Sequence, residues 1–356
     1  MGRRSCIVLA GIALTACAAG CTDQPSGGPT PSPTSTEQAA AGSALSLDDR
    51  VAAAEEDMAV YDGIVTGISM AVAQDGEVRT FVHGKAVTDA DQRFMIASLS
   101  KPMVAAAVLS LVADGRLSLE DTVEELAPGL LPRAPQVTVE QLLSMTSGLP
   151  DYQAMASYAG PFTTSSEDLV AMVSRKPLAF KPGSQGGYVN TNFAVLDVLV
   201  QRITGHDLAA LLDRAVLRPA HLRHTSLGDQ PDLPGTTSED RPYRPRLIEP
   251  SAAAGIVATA GDVAAFLETL TDGSLLPPDL VADMEAEHSS VDFGSYGLGI
   301  AIEETPCGTA YGHVGNNDGF EAAGWTVPDV GRTVVVLVNA SNVEAAQSLV
   351  AHALCD

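Results

Sequence analysis

The sequence predicts an α+β fold in which one antiparallel sheet is built from both chain ends and flanked by helices, with a mostly helical subdomain inserted between them. Three observations predict it. Segments that alternate apolar with small or polar residues, the period of a half-buried strand, lie near both termini. Segments with apolar residues at i, i+3 and i+4 fill the middle. The 356 residues are 46% hydrophobic and 18% charged, enough to bury one large core, or two interleaved subdomains, without staples.

The first 21 residues read as an export segment. Arg3 and Arg4 precede the apolar run 7–14, which is too short to cross a bilayer as a mature helix. The run ends at Leu14-Thr15-Ala16-Cys17, which resembles a bacterial lipobox: small residues admit a signal peptidase, and Cys17 is then lipidated. Cys21, after Ala18-Ala19-Gly20, is the alternative acceptor, and an ordinary cleaved signal with incidental cysteines is the competing reading. Residues 22–43 are Pro, Ser, Thr, Gly and Ala with hardly an aliphatic side chain. Such a stretch cannot offset chain entropy by burial and reads as a disordered tether. An exported protein held on the extracytoplasmic face of the membrane by its lipid alone is expected.

The folded domain then spans 44–356. A helix at 47–59 is followed by a strand at 67–73, the turn pair Asp75-Gly76, and a strand at 78–82, which together read as a hairpin. Helical spacing recurs at 102–113, 139–145, 167–173, 192–203 and 261–270. Strands follow at 296–302, 322–327 and 332–338, the last two joined by Pro328-Asp329-Val330-Gly331, and a helix at 343–354 closes the chain. A cleft is expected where sheet and insertion meet. Beyond the tether only Cys307 and Cys355 remain; in an oxidising compartment they are expected to pair, the alternative being two buried thiols. The net charge of -24 opposes any role that depends on neutralising phosphates, so no nucleic-acid partner is expected.

Three short patterns carry chemistry. Ser98 and Lys101 lie three apart, a spacing that stacks an amine beside a hydroxyl at the positive end of a helix. A partly desolvated lysine can stay neutral and take the serine's proton, although the same pattern also occurs by chance on solvated helices. Tyr188 and Asn190 follow the turn-rich stretch Phe180-Lys181-Pro182-Gly183. A phenol there can pass a proton and an amide can hold substrate and lysine; alternatively Tyr188 packs at a domain edge and Asn190 caps a helix. In Tyr311-Gly312-His313-Val314-Gly315-Asn316, His313 is a donor and Gly315 makes room for a substrate beside a strand. The amide of Asn316 could then join that of Ser98 as an oxyanion hole; the alternative is a glycine-rich turn with an incidental histidine.

Ser-x-x-Lys, Tyr-x-Asn and His-x-Gly, in this order, resemble the signature of the serine penicillin-binding proteins and serine beta-lactamases. The stretch Leu142-Leu143-Ser144-Met145-Thr146-Ser147-Gly148-Leu149-Pro150 is similar to a loop of the class C beta-lactamase and D-alanyl-D-alanine carboxypeptidase branch. The resemblance implies a beta-lactamase/transpeptidase-like fold, Ser98 as nucleophile of an acyl-enzyme, Lys101 and Tyr188 as the proton relay, and Asn190, His313, Gly315 and Asn316 as substrate contacts. It implies no cofactor. There is a departure: Val314 stands where the family usually carries a threonine, and offers no hydroxyl to a substrate carboxylate unless Asn316 substitutes.

The leading expectation is D-alanyl-D-alanine carboxypeptidase-like cleavage of cell-wall peptides, with an esterase or amidase second and a beta-lactamase third. A non-catalytic cell-wall-binding lipoprotein is the competitor from another class. The expected partners are a small peptide, ester or beta-lactam, and the protein is expected to be a monomer. His221 and His224 lie three apart without the companions a metal site needs, so no metal is expected.

Overall fold

Helix α1 (Leu47–Ala59) starts where Ser46 accepts a hydrogen bond from the Asp49 amide and the Asp49 carboxylate accepts one from the Ser46 amide. The structure, a computed structural model, describes residues 45–155, 165–236, 242–243, 252–317, 319–341 and 344–355. Cys17, Cys21 and the tether lie outside the described residues. After α1 comes the expected hairpin, β1 (Gly67–Gln74) and β2 (Glu77–Gly84). Asp75 and Gly76 both have positive φ, 53° and 80°, the backbone of a two-residue turn that matches strand twist.

The middle of the chain is mostly helical. It opens with the two-residue strand β3 (Phe94–Met95), followed by α2 (Ser100–Ala113), α3 (Val123–Leu126), α4 (Val139–Leu143), α5 (Ser166–Val173), α6 (Thr191–Thr204) and α7 (Leu208–Leu212). Short strands β4 (Ser226–Leu227), β5 (Gly235–Thr236), β6 (Pro242–Tyr243) and β7 (Ile256–Ala258) precede α8 (Ala260–Thr271) and α9 (Pro278–Glu285). The chain then returns to the sheet as β8 (Ser289–Val291), β9 (Gly294–Tyr296), β10 (Ala301–Thr305), β11 (Gly308–Asn317), β12 (Phe320–Val327) and β13 (Arg332–Val338), and ends in α10 (Ala345–Cys355).

The large sheet has the order β2-β1-β13-β12-β11-β10-β9-β8, and every pairing in it is antiparallel. The two chain ends meet inside it, where Ile68 faces Val338 and Gln74 faces Arg332. β1, β12 and β13 are buried along nearly their whole length, because α1 and α10 cover one face and α8 the other. A second small sheet, β3-β7-β4, joins the start of α2 to the segment before α8.

One expected strand is two. Residues 296–302 break after Tyr296, and the chain turns through a Gly297 amide bond to the Ile300 carbonyl (2.8 Å) before β10 begins. Gly299 has φ of 80°, and a Cβ on Gly297 would lie 2.1 Å from the Met284 carbonyl oxygen. The apolar alternation misled because Leu298 and Ile300 are buried in the turn just as they would be in a strand. At the far end, α10 starts at Ala345 and is capped from another element: the Glu321 carboxylate on β12 accepts hydrogen bonds from the amides of Glu344 and Ala345.

Cys307 and Cys355 form a disulfide with Cα atoms 5.4 Å apart, tying the start of β11 to the last turn of α10 across 48 residues. Closing a loop of that length removes about 4 kcal/mol of chain entropy from the unfolded state. Replacing both cysteines by serine is therefore expected to lower the urea midpoint strongly and, because the freed unfolded chain exposes more surface, to raise the m-value; an unmoved midpoint would show that α10 holds to the sheet without the bridge. Among the described residues no helix is long and apolar enough to cross a membrane.

Candidate active site

Ser98 lies in a single 3-10 turn, Ala97–Leu99, that runs directly into α2. The turn is pinned from the small sheet by the bond from the Ile96 amide to the Ile256 carbonyl (3.1 Å). Ala97 has φ of 48°, a region that costs a non-glycine residue on the order of 1 kcal/mol and is held here by the packing around it. α2 is apolar on all sides and buried nearly throughout, so Lys101, one turn into it, is taken wholly out of water.

Lys101 Nζ has three neighbours at 2.9 Å: Ser98 Oγ, Asn190 Oδ1 and the Ala253 carbonyl oxygen. Burial pushes its pKa down from 10.5 to about 7, against the opposing pull of the Asp151 carboxylate. A neutral amine has two N–H groups and one lone pair. The Asn190 and Ala253 oxygens can only accept, so they hold the two N–H groups, and the lone pair is left facing the Ser98 hydroxyl. Two fixed acceptors therefore aim a base at the serine. The pH dependence follows in sign: below about 7 the amine is protonated and has no lone pair to offer. The acid limb of kcat/KM for an ester is expected to rise through an apparent pKa near 7, and Asp151→Asn is expected to move that limb to lower pH. A flat profile between pH 5 and 8 would remove Lys101 as the base.

Asn190 is aimed by a residue the sequence reading passed over. Its Nδ2 donates to Asp151 Oδ2 (3.4 Å), which turns its oxygen toward Lys101. Asp151 directly follows the Leu142 to Pro150 stretch, and that loop is laced to the start of α6. Thr191 Oγ1 donates to the Pro150 carbonyl (2.8 Å), and Asn192 Nδ2 to the Leu142 carbonyl (2.9 Å). The Tyr188 loop pairs with the same stretch, through Gly183 to Thr146 and Gly187 to Met145, both 2.9 Å. Thus the second motif is held by the loop before it. Asp151 was detectable only as a carboxylate beside a turn, a common surface feature.

The Lys101 amine sits 4.9 Å from the centre of the Tyr188 ring. The Tyr188 hydroxyl is buried with no hydrogen-bond partner of good geometry, although Ser98 is near enough to pull its pKa down against the burial. Burial prevails, and the phenol is held well above its usual range. Burial thus favours its protonated form, which leaves a buried O–H donor beside Ser98.

The third motif is corrected in one respect. His313 was expected to offer a donor to the substrate, but it is 1% exposed and both ring nitrogens are engaged. Nδ1 bonds the Val314 carbonyl and Nε2 lies 3.2 Å from the Tyr296 hydroxyl. Because a carbonyl only accepts, Nδ1 carries the hydrogen and the Tyr296 hydroxyl donates to Nε2. Burial first, then the Lys101 charge, press the His313 pKa down to about 3, so the ring is neutral. It packs behind Tyr188 instead of facing outward.

Gly315 lies against the turn that carries Ser98: a Cβ there would stand 2.2 Å from the Ile96 carbonyl oxygen and 3.2 Å from Ala97 Cβ. β10 pairs with β11 only over Gly308–Gly312, whereas β12 pairs with it through Asn317. Residues 313 to 316 of β11 therefore have no β10 residue opposite them. The exposed Asn316 lines a cavity of about 240 Å³ between β11 and the start of α10, with Val314, Glu321, Glu344 and Gln347.

The chain is similar to several known proteins. Esterase EstB of Burkholderia gladioli is 30% identical over 297 residues, which take in 67% of this chain and 75% of that protein. Penicillin-binding protein 4* of Bacillus subtilis (strain 168) is 32% identical over 136 residues, 37% of this chain and 30% of that protein, so the match spans under a third of that relative's length. Among solved structures, a D-stereospecific amidohydrolase from Streptomyces sp. superposes with a TM-score of 0.75 at 25% identity, covering 85% of this chain and 98% of the other. The D-amino acid amidase from Ochrobactrum anthropi SV3 shares the fold, with a TM-score of 0.77 at 21% identity over 86% and 98% of the two chains. The Beta-lactamase family model matches residues 46–354. That match runs from the cap of α1 to the last turn of α10 and takes in both the sheet and its insertion, and the chain therefore belongs to the beta-lactamase family of serine hydrolases.

Proposed function

We propose that this protein hydrolyses ester or amide substrates that carry no carboxylate beside the leaving group, through an acyl-enzyme on Ser98. The observation that carries the chemistry is the Lys101 amine held by Asn190 and Ala253 with its third contact on Ser98. Ser98 Oγ bonds to the substrate's carbonyl carbon as its proton passes to the Lys101 lone pair. The main-chain amides of Ser98 and Asn316 receive the oxyanion. Collapse breaks the bond to the leaving group, which takes the Tyr188 proton, and Lys101 returns one to Tyr188. Water then attacks the ester by the same relay in reverse, and releases the acid and free Ser98.

The neutral His313 and the hydroxyl-free Val314 support a substrate without a carboxylate, since neither supplies a cation or a hydroxyl to hold one. The names of an esterase and of amidases among the similar proteins agree with this reading. D-alanyl-D-alanine carboxypeptidase activity is the second reading, favoured by the stretch of β11 that no β10 residue faces, which suits an extended peptide, and by the similarity to Penicillin-binding protein 4*.

A p-nitrophenyl acetate assay on wild type and Ser98→Ala tests the nucleophile. Equal turnover by both proteins sinks it. Release of D-alanine from a diacyl D-Ala-D-Ala peptide, with a stable penicillin adduct on Ser98, would establish the second reading over the first. We also propose that the chain is exported and anchored by lipid on Cys17; palmitate labelling that survives Cys17→Ser and disappears with Cys21→Ser would move the anchor to Cys21.

A further inference from the structure

We infer that Phe293 is a specificity-determining residue that receives an aromatic leaving group, an assignment that rests on reading Ser98 as the nucleophile of an ester or amide hydrolase. Phe293 sits with Asp292 in the two-residue turn of the β8–β9 hairpin, where Val291 faces Gly294. Neither turn residue has positive φ, so the backbone does not dictate the side chain at 293, and a bare phenyl ring at the tip gives the hairpin nothing. The residue is 49% exposed, one of few large apolar residues among those described that are left in water to that extent.

Its place is not free, however. The Ser289 hydroxyl donates to the Ser144 carbonyl (2.6 Å), and Gly186 lies so close to the Ser290 carbonyl that a Cβ would stand 2.1 Å from it. Gly186 is two residues before Tyr188, so the hairpin and the tyrosine loop are held together. The Phe293 ring meets Tyr188 edge to face at 5.1 Å, His313 at 5.9 Å and Tyr296 at 6.2 Å. Tyr296 and His313 are buried; Phe293 is the member of the group that carries their apolar surface out to solvent.

In the proposed reaction the Tyr188 hydroxyl gives its proton to the leaving atom. The leaving atom therefore comes within hydrogen-bond reach of Tyr188, and whatever is attached to it extends over the tyrosine toward Phe293. A second aromatic ring covers the exposed phenyl and gains an edge or offset contact; a small polar leaving group gains nothing there.

The test measures kcat/KM of the full chain for phenyl acetate and trifluoroethyl acetate in wild type, Phe293→Ala and Phe293→Leu. The ratio between proteins cancels the intrinsic reactivity of each ester. Phe293→Ala is expected to lower the phenyl ester about 10-fold and the trifluoroethyl ester less than about 2-fold, with Phe293→Leu between. Thermal melting of the variants is expected to match wild type, because the side chain is half in water. Equal losses for both esters, or no loss for either, overturn the assignment alone. A loss confined to p-nitrophenyl phenylacetate relative to p-nitrophenyl acetate puts Phe293 on the acyl side and overturns it as well. No turnover of any ester by the wild-type chain sinks the hydrolase reading and this assignment with it.

Discussion

Lys101→Met is expected to lower kcat/KM for an activated ester about a thousand-fold, the range associated with loss of a positioned base. It is also expected to flatten the pH dependence of stability. Lys101 has its pKa depressed from 10.5 to about 7, so between those values the unfolded chain binds the extra proton. Wild-type stability therefore rises as pH rises through that window, and the charged lysine costs the fold roughly 5 kcal/mol below it. Methionine fills the same space without a charge, but removes the hydrogen bonds that Lys101 gives the Asn190 and Ala253 oxygens, which returns part of the gain. Urea unfolding at pH 6 and pH 9 reads this directly: wild type gains stability across the interval and the variant does not. A variant that remains active, or that keeps the wild-type slope, removes Lys101 from the proposed role.

Gly315→Ala is expected to cost activity about 100-fold and stability about 1–3 kcal/mol. The new methyl would stand 2.2 Å from the Ile96 carbonyl oxygen, a backbone atom on the turn that carries Ser98. Nothing at the end of a flexible side chain can move aside, so β11 and the turn must separate. Their separation draws the Asn316 amide away from that of Ser98, and an oxyanion hole tolerates little of that. Near-normal ester turnover in a folded Gly315→Ala protein would show that β11 is not the wall of the site.

Much of this was written in the chain. The hairpin followed from Asp75-Gly76 between two apolar runs, β13 from an unbroken run of branched residues, and α2, α6 and α8 from their spacing. These are local signals, and local signals survive translation into three dimensions. Ser98, Lys101, Tyr188 and Asn190 stood out for a different reason: each short pattern is common alone, and it was their order along the chain, which resembles a known family's signature, that singled them out. The break at residues 297–300 was not legible, because a buried turn and a buried strand share one hydrophobic pattern.

The remaining decisions belonged to contacts between distant segments. The sequence alone determined which groups are candidates to react, where most helices and the terminal strands run, and that one sheet draws on both chain ends. Only the tertiary structure decided the state and aim of those groups. Lys101 reaches a pKa near 7 because α2 is buried on every side and the segment before β7 brings the Ala253 carbonyl to it. His313 turns inward because Tyr296, 17 residues earlier, takes its second nitrogen. Asp151 reaches Asn190 and Phe293 reaches Tyr188 only because two loops far apart in sequence are packed on the one that carries Tyr188. Residue types specify chemistry locally, but desolvation and orientation are properties of surroundings that the chain assembles from everywhere along its length.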